Sequence, residues 1–302
     1  MASPPRRPSV ISDLHTAISR LSEKVNELGP KMRTAVRGDL EAFATTLSEL
    51  AASLDPVARP DVVFDPANPD AMGRLVALAL VVQPKQPLEK VGRAYGSGVY
   101  AVYYHGDHPA YALISKSETP IYVGKADPIT SKAITAFEQG EKLTGRLRDH
   151  RRMIVQAVRY ALAHKDKKIT PIRIVDFTYR RLVVATNAQL VAEQLLINLF
   201  KPVWNKETRV CWGISKHGDS AEMRGHGRSP WDVLHPGRDW ALESSGDSRP
   251  VGRILDDLRR HFVNTPSFKD RLHVIEQLLG DFIQHPVEVE RPSDNESEDT
   301  QA

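Results

Sequence analysis

Two short tyrosine-bearing segments constrain the fold of this chain more than any other feature. The segments GVYAVYY (98–104) and PIYVGKA (120–126) are rich in β-branched and aromatic residues, and only residues 105–119 separate them. Such composition is typical of β-strands, so the two segments predict a hairpin of neighbouring strands. A tyrosine on a half-buried strand usually contributes packing, so the pair alone does not indicate chemistry.

The elements that follow complete a small mixed domain. Helical spacing runs from Leu143 to about His164 in a very basic segment, and residues 171–184 (PIRIVDFTYRRLVV) predict a third strand. A further helix extends to about Phe200, where Lys201-Pro202 ends it because proline cannot continue a helix. The order strand, strand, helix, strand, helix predicts an α+β fold.

The flanks of this domain are predicted to be helical or irregular. Two amphipathic helices separated by Gly29-Pro30 predict a helical hairpin within residues 10–55. The predicted organisation is a helical hairpin extension (1–60), a linker and short helix (61–97), an α+β domain with glycine-rich loops (98–241), C-terminal helices (242–285) and a disordered acidic tail (286–302).

Charge is distributed unevenly along the chain. Residues 85–240 hold 25 basic and 15 acidic side chains, whereas the segments before and after have net charges of −1 and −6. A basic middle indicates a polyanion-binding segment, although an ordinary solvated surface has the same composition. One cysteine excludes a disulfide framework, and the chain lacks a signal-like leader and an apolar run long enough to cross a membrane. We therefore expect a cytoplasmic protein.

Three charged residues are candidates for chemistry. Arg146 and His150 lie four residues apart, so they project from one helix face, where arginine can hold phosphate oxygens and histidine can exchange a proton. Glu193 lies mid-helix, and a carboxylate without clustered cysteine or histidine suits Mg²⁺. Each residue alone has a plain explanation as part of a solvated helix face, but together they fit a nuclease site.

The order of these motifs resembles the GIY-YIG nuclease superfamily, most closely its type II restriction endonuclease branch. The resemblance covers roughly residues 71–241, and Val99 and Val123 stand in place of the isoleucines of the superfamily's name. The matching segments are GVYAVYY (98–104), IYVGKA (121–126), RLRDH (146–150), KPVWN (201–205) and WDVLHPGRDWA (231–241).

The resemblance implies a three-stranded antiparallel sheet flanked by helices, and a role for each site residue. It implies that Glu193 binds Mg²⁺ (which Mn²⁺ can replace) and that Tyr100 is the general base, with His150 accepting its proton or holding its hydrogen bond. Which tyrosine handles the proton stays open. The remaining implied site residues are Tyr122 and Arg146 at the scissile phosphate, Lys125 as an auxiliary phosphate contact, and Asn205 as a hydrogen-bonding support.

Target recognition is expected in the glycine-rich stretch after the core. Its candidate DNA-contacting residues are Arg209, Lys216, His217, Arg224, His226, Arg228 and Arg238. Arginines there either read guanine in the major groove or hold phosphates, and the sequence does not decide between these roles. A zinc site at Cys211 is disfavoured, because one thiolate and irregularly spaced histidines make a poor ligand set.

These observations lead to one functional expectation and two rivals. We expect a Mg²⁺-dependent type II restriction endonuclease that cuts double-stranded DNA at a G·C-rich palindrome, with CCGCGG implied by the resemblance. A palindrome has two-fold symmetry and one active site cuts one strand, so we expect a homodimer. A cognate DNA methyltransferase is the implied genetic partner. The rivals are a structure-specific or repair GIY-YIG nuclease, and a non-catalytic DNA-binding protein on the same fold.

Overall fold

The chain divides into two compact units, Met1–Asp61 and Val62–Ala302. The computed structural model describes residues 9–25, 27–54, 57, 65–167, 169–185, 188–214, 227–243, 249–265 and 267–284. The acidic tail predicted for 286–302 lies outside these residues. Within the described ranges, no helix combines the length and apolar character needed to cross a membrane.

The first unit contains two helices, α1 (Ser9–Val25) and α2 (Pro30–Ser53), which we call the N-terminal helix pair. Gly29 is extended and precedes Pro30 at the first position of α2, where the missing proline N–H costs no hydrogen bond. No residue of α2 is buried. The large exposed apolar side chains of the pair are Ile11, Leu14, Ile18, Leu21, Met32, Leu40, Phe43, Leu47 and Leu50, and Leu54 directly after α2 is exposed too.

The second unit is organised around an antiparallel sheet of four strands. The strands are β1 (Gln86–Pro87), β2 (Gly98–Tyr104), β3 (Tyr122–Ala126) and β4 (Phe177–Val183). Their order across the sheet is β1-β4-β2-β3, so β3 is an edge strand and β2 is central. Every residue of β2 is buried, which explains its unbroken run of apolar and aromatic side chains.

Helices cover both faces of the sheet. In chain order the helices of this unit are α3 (Pro69–Val81), α4 (Ala136–Gln139), α5 (Lys142–Ala163), α6 (Gln189–Phe200), α7 (Pro230–Leu234), α8 (Asp239–Leu242), α9 (Val251–Asn264) and α10 (Arg271–Gln284). The side chains of Tyr100, Val102 and Tyr104 pack with those of α5 in one core cluster. The alternate side chains of β2 pack with α3, α6 and α10 in a second cluster.

The sheet corrects two sequence-based expectations. The expected three-stranded sheet has a fourth strand, because Gln86 and Pro87 pair with Tyr179 and Thr178. A two-residue strand containing proline carries no alternating pattern, and an edge tolerates the missing N–H. The third strand was also predicted too long: β4 begins at Phe177, where its partner β2 ends at Tyr104, and 174–176 form a 3₁₀ turn instead.

Candidate active site

The two tyrosines of the hairpin lie on the same face of the sheet. Tyr100 on β2 pairs with Gly124 on β3, and Tyr122 lies two residues before Gly124 on the same strand, with the tyrosine ring centroids 6.0 Å apart. A Cβ atom on Gly124 would lie 2.6 Å from the Tyr100 hydroxyl. Glycine at this position therefore makes the space that the Tyr100 ring occupies.

Helix α5 brings His150 and Arg146 to this tyrosine face. The Tyr100 hydroxyl lies 2.8 Å from His150 Nε2, and the Tyr122 ring is 4.6 Å from the His150 ring between centroids. Arg146, one turn earlier and exposed, also hydrogen-bonds the Tyr100 hydroxyl. Because Arg146 and His150 are four residues apart on the helix, both side chains reach the Tyr100 hydroxyl.

Burial sets the protonation states of this pair. Burial, together with the nearby phenol of Tyr122, raises the pKa of Tyr100 well above its usual value of about 10. Burial and the neighbouring Arg146 charge lower the pKa of His150 to about 3. At neutral pH the tyrosine is therefore a protonated phenol and the imidazole is uncharged. A neutral imidazole with its proton on Nδ1 leaves Nε2 free to accept the Tyr100 hydrogen.

Glu193 approaches the same strand from the other side of the sheet. It lies on α6, is half-buried, and accepts a hydrogen bond from the backbone N–H of Lys125. Burial raises the pKa of Glu193 to about 7, with Glu207 and Asp127 adding to the increase while Lys125 opposes it. Because burial disfavours the charged form of this carboxyl group, a cation bound next to it would stabilise the carboxylate.

Lys125 is paired at the exposed edge of the site. Its ammonium lies 2.5 Å from the Asp127 carboxylate, which also accepts a hydrogen bond of 3.3 Å from Gln189 at the start of α6. These hydrogen bonds and the Lys125 charge keep the pKa of Asp127 below its usual value, despite partial burial. Strand β3 and helix α6 are therefore linked by polar contacts next to Glu193.

Asn205 fixes the edge strand itself. Its Oδ1 accepts from the backbone N–H of Val123 at 2.9 Å, and its Nδ2 donates to the carbonyl of the same residue at 2.9 Å. Asn205 is buried, and a left-handed Lys201 ends α6 shortly before it, followed by Pro202. The side chain satisfies both backbone groups of one edge residue, so it supports the site without facing the tyrosine hydroxyls.

The structure brings together the six predicted site residues and Lys125, and it adds two that sequence reasoning missed. Gly124 belongs to the IYVGKA segment, and its missing side chain makes room for Tyr100. Asp127 lies just after that segment, pairs with Lys125 and raises the pKa of Glu193. Their nearness to Lys125 in the sequence is the signal that could have identified both.

The predicted DNA-contacting residues differ in how far the structure exposes them. Arg209 is exposed in a left-handed conformation after a 3₁₀ turn, and Arg228 is partly buried. The other candidates Lys216, His217, Arg224 and His226 lie outside the described residues.

The environment of Cys211 does not favour a zinc site. Its thiol is buried against the Tyr111 hydroxyl, and burial raises its pKa to about 12, so the thiolate that would bind zinc is disfavoured. In the described part of the chain, no group of three or more His, Cys, Asp or Glu side chains is arranged to hold a metal.

Arg238 corrects a sequence-based expectation. Its guanidinium is only 3% exposed, donates to both Asp232 oxygens at 2.6 and 2.5 Å, and reaches the carbonyl of Gly213. It also lies over the Trp231 and Trp240 rings. A side chain enclosed in this way ties the chain around α7 and α8 together and does not present its charge to DNA.

Comparison with known proteins identifies the family. A search of curated proteins gave no match. The family model described as the Eco29kI GIY-YIG domain matches residues 92–262, which include both tyrosine strands, α5, α6 and the Asn205 turn. That match covers more than half of the chain and contains every residue of the candidate site. The chain therefore belongs to the family of Eco29kI GIY-YIG domains, which are nuclease domains of restriction endonuclease type.

Proposed function

We propose that this protein is a type II restriction endonuclease that hydrolyses phosphodiester bonds at a specific site in double-stranded DNA. The observation that carries the proposal is the 2.8 Å contact between the Tyr100 hydroxyl and a neutral His150, with Arg146 on the same phenol. A hydrogen-bonded phenol and imidazole next to arginine can move a proton and hold a phosphate at one place.

Tyr100 is proposed as the general base toward the attacking water. A phenol of raised pKa does not lose its proton to solvent at neutral pH, so it needs a local acceptor. His150 Nε2 supplies that acceptor: as the Tyr100 oxygen takes a proton from water, the phenolic hydrogen passes to the imidazole. Arg146 favours negative charge on the phenolic oxygen during this transfer.

Arg146, Tyr122 and Lys125 are proposed to contact the scissile phosphate. Arg146 offers a planar donor set that matches phosphate oxygens, and the Tyr122 hydroxyl adds a neutral donor. Lys125 is held by Asp127 at the same strand edge. Positioned donors of this kind stabilise the negative charge that accumulates on the phosphate oxygens in the transition state.

The donor set at Glu193 fits Mg²⁺, with Mn²⁺ as a substitute. A carboxylate with a pKa near 7 gains from a cation, and Mg²⁺ is commonly held by one or two carboxylates together with waters and substrate phosphates. When bound, the ion would act as a Lewis acid that stabilises charge on the departing oxygen. Glu193 is the residue proposed to hold it.

The proposed target is a G·C-rich palindrome, with CCGCGG as the sequence implied by the resemblance. Arginine reads guanine O6 and N7 through two hydrogen bonds in the major groove. Among the described residues, Arg209 and Arg228 are the candidates for this contact. Arg238 is not proposed, because its guanidinium is buried in an ion pair with Asp232. Sequencing the ends of a genomic digest tests this point, and ends that share no G·C-rich palindrome would contradict it.

A homodimer is proposed because one such site cuts one strand, and a two-fold pair of sites matches a palindrome. The N-terminal helix pair is the proposed contact, since nine large apolar side chains on it are exposed and no residue of α2 is buried. Light scattering on the full chain and on a protein starting at residue 62 tests both points. A full-length monomer on target DNA contradicts the dimer, whereas a dimer that survives truncation contradicts only the role of the helix pair.

The proposed setting of the enzyme is the cytoplasm, with a cognate DNA methyltransferase as genetic partner. The single cysteine, Cys211, is buried as a free thiol, which suits a reducing compartment. Protection of host DNA against digestion by the purified protein tests the methyltransferase. Host DNA that is cut as readily as unmodified DNA would contradict that partner.

Plasmid digestion with three variants tests the catalytic proposal. We expect discrete fragments from the wild type with Mg²⁺ and none in EDTA. Glu193→Gln should bind DNA but not cut it, because the variant lacks the carboxylate that is proposed to hold the ion. Tyr100→Phe should lose about 10²- to 10⁴-fold in rate, the usual value of acid–base catalysis.

Tyr103→Phe is the matched control. Tyr103 belongs to the same strand but faces the opposite cluster, where its hydroxyl accepts from Arg180 at 3.1 Å. We expect Tyr103→Phe to cut at a near-normal rate with a modest loss of stability. Equal losses of activity in the two tyrosine variants, or normal cleavage by Glu193→Gln, would contradict the assigned roles. Cleavage only at branched or nicked substrates would instead indicate a structure-specific nuclease.

A further inference from the structure

The outer face of α5 carries four arginines that the catalytic site does not use. We call them the arginine stripe: Arg148, Arg151, Arg152 and Arg159. All four are exposed, whereas the buried residues of the helix, among them Leu147, His150 and Ile154, face the sheet. Positions 148, 152 and 159 follow helical spacing, so they form one row on the side opposite the core.

The stripe is poorly neutralised by the rest of the protein. Arg152 pairs with Asp149 at 2.7 Å, and Arg148 lies near the charge of Glu141. Arg151 and Arg159 make no ion pair with any residue that the structure describes. Like charges one turn apart repel, so this face of α5 favours an external polyanion.

A second arginine-rich helix in the same chain shows the contrasting arrangement. On α9, Arg253 and Arg260 pair with Asp257, and Arg259 pairs with Asp256. These three side chains are 60 to 72% exposed, so exposure alone does not separate the two helices. What distinguishes α5 is the shortage of carboxylates between its arginines.

We propose that the arginine stripe, on the face of α5 turned away from His150, binds the backbone phosphates of duplex DNA outside the cleavage site. This inference rests on the proposed function, because the same rigid helix carries Arg146 and His150. From Arg148 to Arg159 the helix rises about 16 Å, which equals the axial rise of about five phosphates on one strand. Such contacts strengthen binding to all sequences alike and fix the register of the duplex on the protein.

The test compares two triple variants of the full-length protein, each carrying Glu193→Gln so that bound DNA is not cut. The stripe variant is Arg148→Gln/Arg151→Gln/Arg159→Gln, and the matched control is Arg253→Gln/Arg259→Gln/Arg260→Gln. Affinity for a duplex with CCGCGG and for one without it is measured over a range of salt concentrations. Each lost phosphate contact should reduce the slope of log K against log salt by about 0.9, and therefore by about 2.7 for the stripe variant.

The outcomes separate this inference from the proposed function. We expect the control to keep the parental slope, and we expect the ratio of affinities for the two duplexes to stay constant in the stripe variant. An unchanged slope in the stripe variant, or an equal loss in the control, overturns the inference. The proposed function is tested separately by cleavage with Glu193 intact. A parent protein that binds no duplex at all contradicts both.

Discussion

The buried, neutral His150 makes the stability of this protein depend on pH in a calculable way. Its pKa in the folded protein is about 3, lowered from 6.5 by burial and by Arg146. The unfolded chain therefore takes up a proton at this residue between pH 6.5 and 3, whereas the folded chain does not. The stability that His150 contributes is present above pH 6.5 and is lost as pH falls through this window.

The size of the effect follows from the two pKa values. Each pH unit well below 6.5 reduces the free energy of unfolding by about 1.4 kcal/mol until the folded-state pKa is reached. Between pH 7.5 and pH 5 the expected loss from His150 is about 2 kcal/mol. We expect His150→Gln to lack this contribution, so its stability should fall by about 2 kcal/mol less than that of the wild type over the same interval.

Denaturant unfolding at pH 7.5 and pH 5 in EDTA measures this difference, and other titrating groups cancel between the proteins. Tyr100→Phe is the control: it removes the 2.8 Å hydrogen bond but keeps a buried histidine, so it should retain the wild-type pH dependence. If His150→Gln and the wild type lose stability in parallel, the pKa of His150 in the folded protein is not lowered, and the effect assigned to its burial is wrong.

Glu193 should change the stability with pH in the direction opposite to His150. Its folded-state pKa of about 7 lies above its ordinary value of 4.5, so between these pH values the folded protein holds a proton there that the unfolded chain has lost. This stability is present below pH 4.5 and is lost as pH rises through 7. Glu193→Gln should therefore make the loss of stability toward pH 5 steeper than in the wild type. A shallower loss would contradict the pKa direction.

Three further substitutions probe the packing of the site and of its surroundings. Gly124→Ala places a methyl group 2.6 Å from the Tyr100 hydroxyl, so cleavage should fall at least about 10²-fold; normal rates would contradict the close approach. Asn205→Ala removes two buried hydrogen bonds to the edge strand and should cost about 1 to 3 kcal/mol per unsatisfied group by denaturant unfolding. Arg238→Met leaves Asp232 buried without its cation and should reduce the free energy of unfolding by about 3 to 5 kcal/mol. A variant of normal stability that binds DNA more weakly would instead indicate that Arg238 contacts DNA.

Much of the site was predictable because it depends on local periodicity and on strand pairing. The four-residue spacing of Arg146 and His150 fixes their common face on α5, and two tyrosine strands joined by a short connection pair as neighbours. The roles proposed for Glu193 and Asn205 come from the resemblance. Spacing alone could not have suggested them, because their partners Lys125 and Val123 are distant in sequence.

The failures share a physical cause. An exposed and a buried arginine look alike in sequence, so the enclosure of Arg238 by Asp232 and two tryptophans had no local signal. Similarly, a two-residue strand such as Gln86–Pro87 is defined only by the partner that it meets. Both depend on contacts between segments, and propensity and periodicity do not report such contacts.

The position of β3 at the sheet edge explains how residues from two faces can serve one reaction. Tyr100, Tyr122 and His150 lie on the α5 face, whereas Glu193 comes from α6 on the opposite face. A central strand would separate these groups by a full layer of backbone. At an edge strand no further strand intervenes, and Glu193 reaches the free N–H side of Lys125. A phosphodiester lying along this edge can therefore meet the phenol and imidazole on one side and the carboxylate on the other, which the proposed mechanism requires.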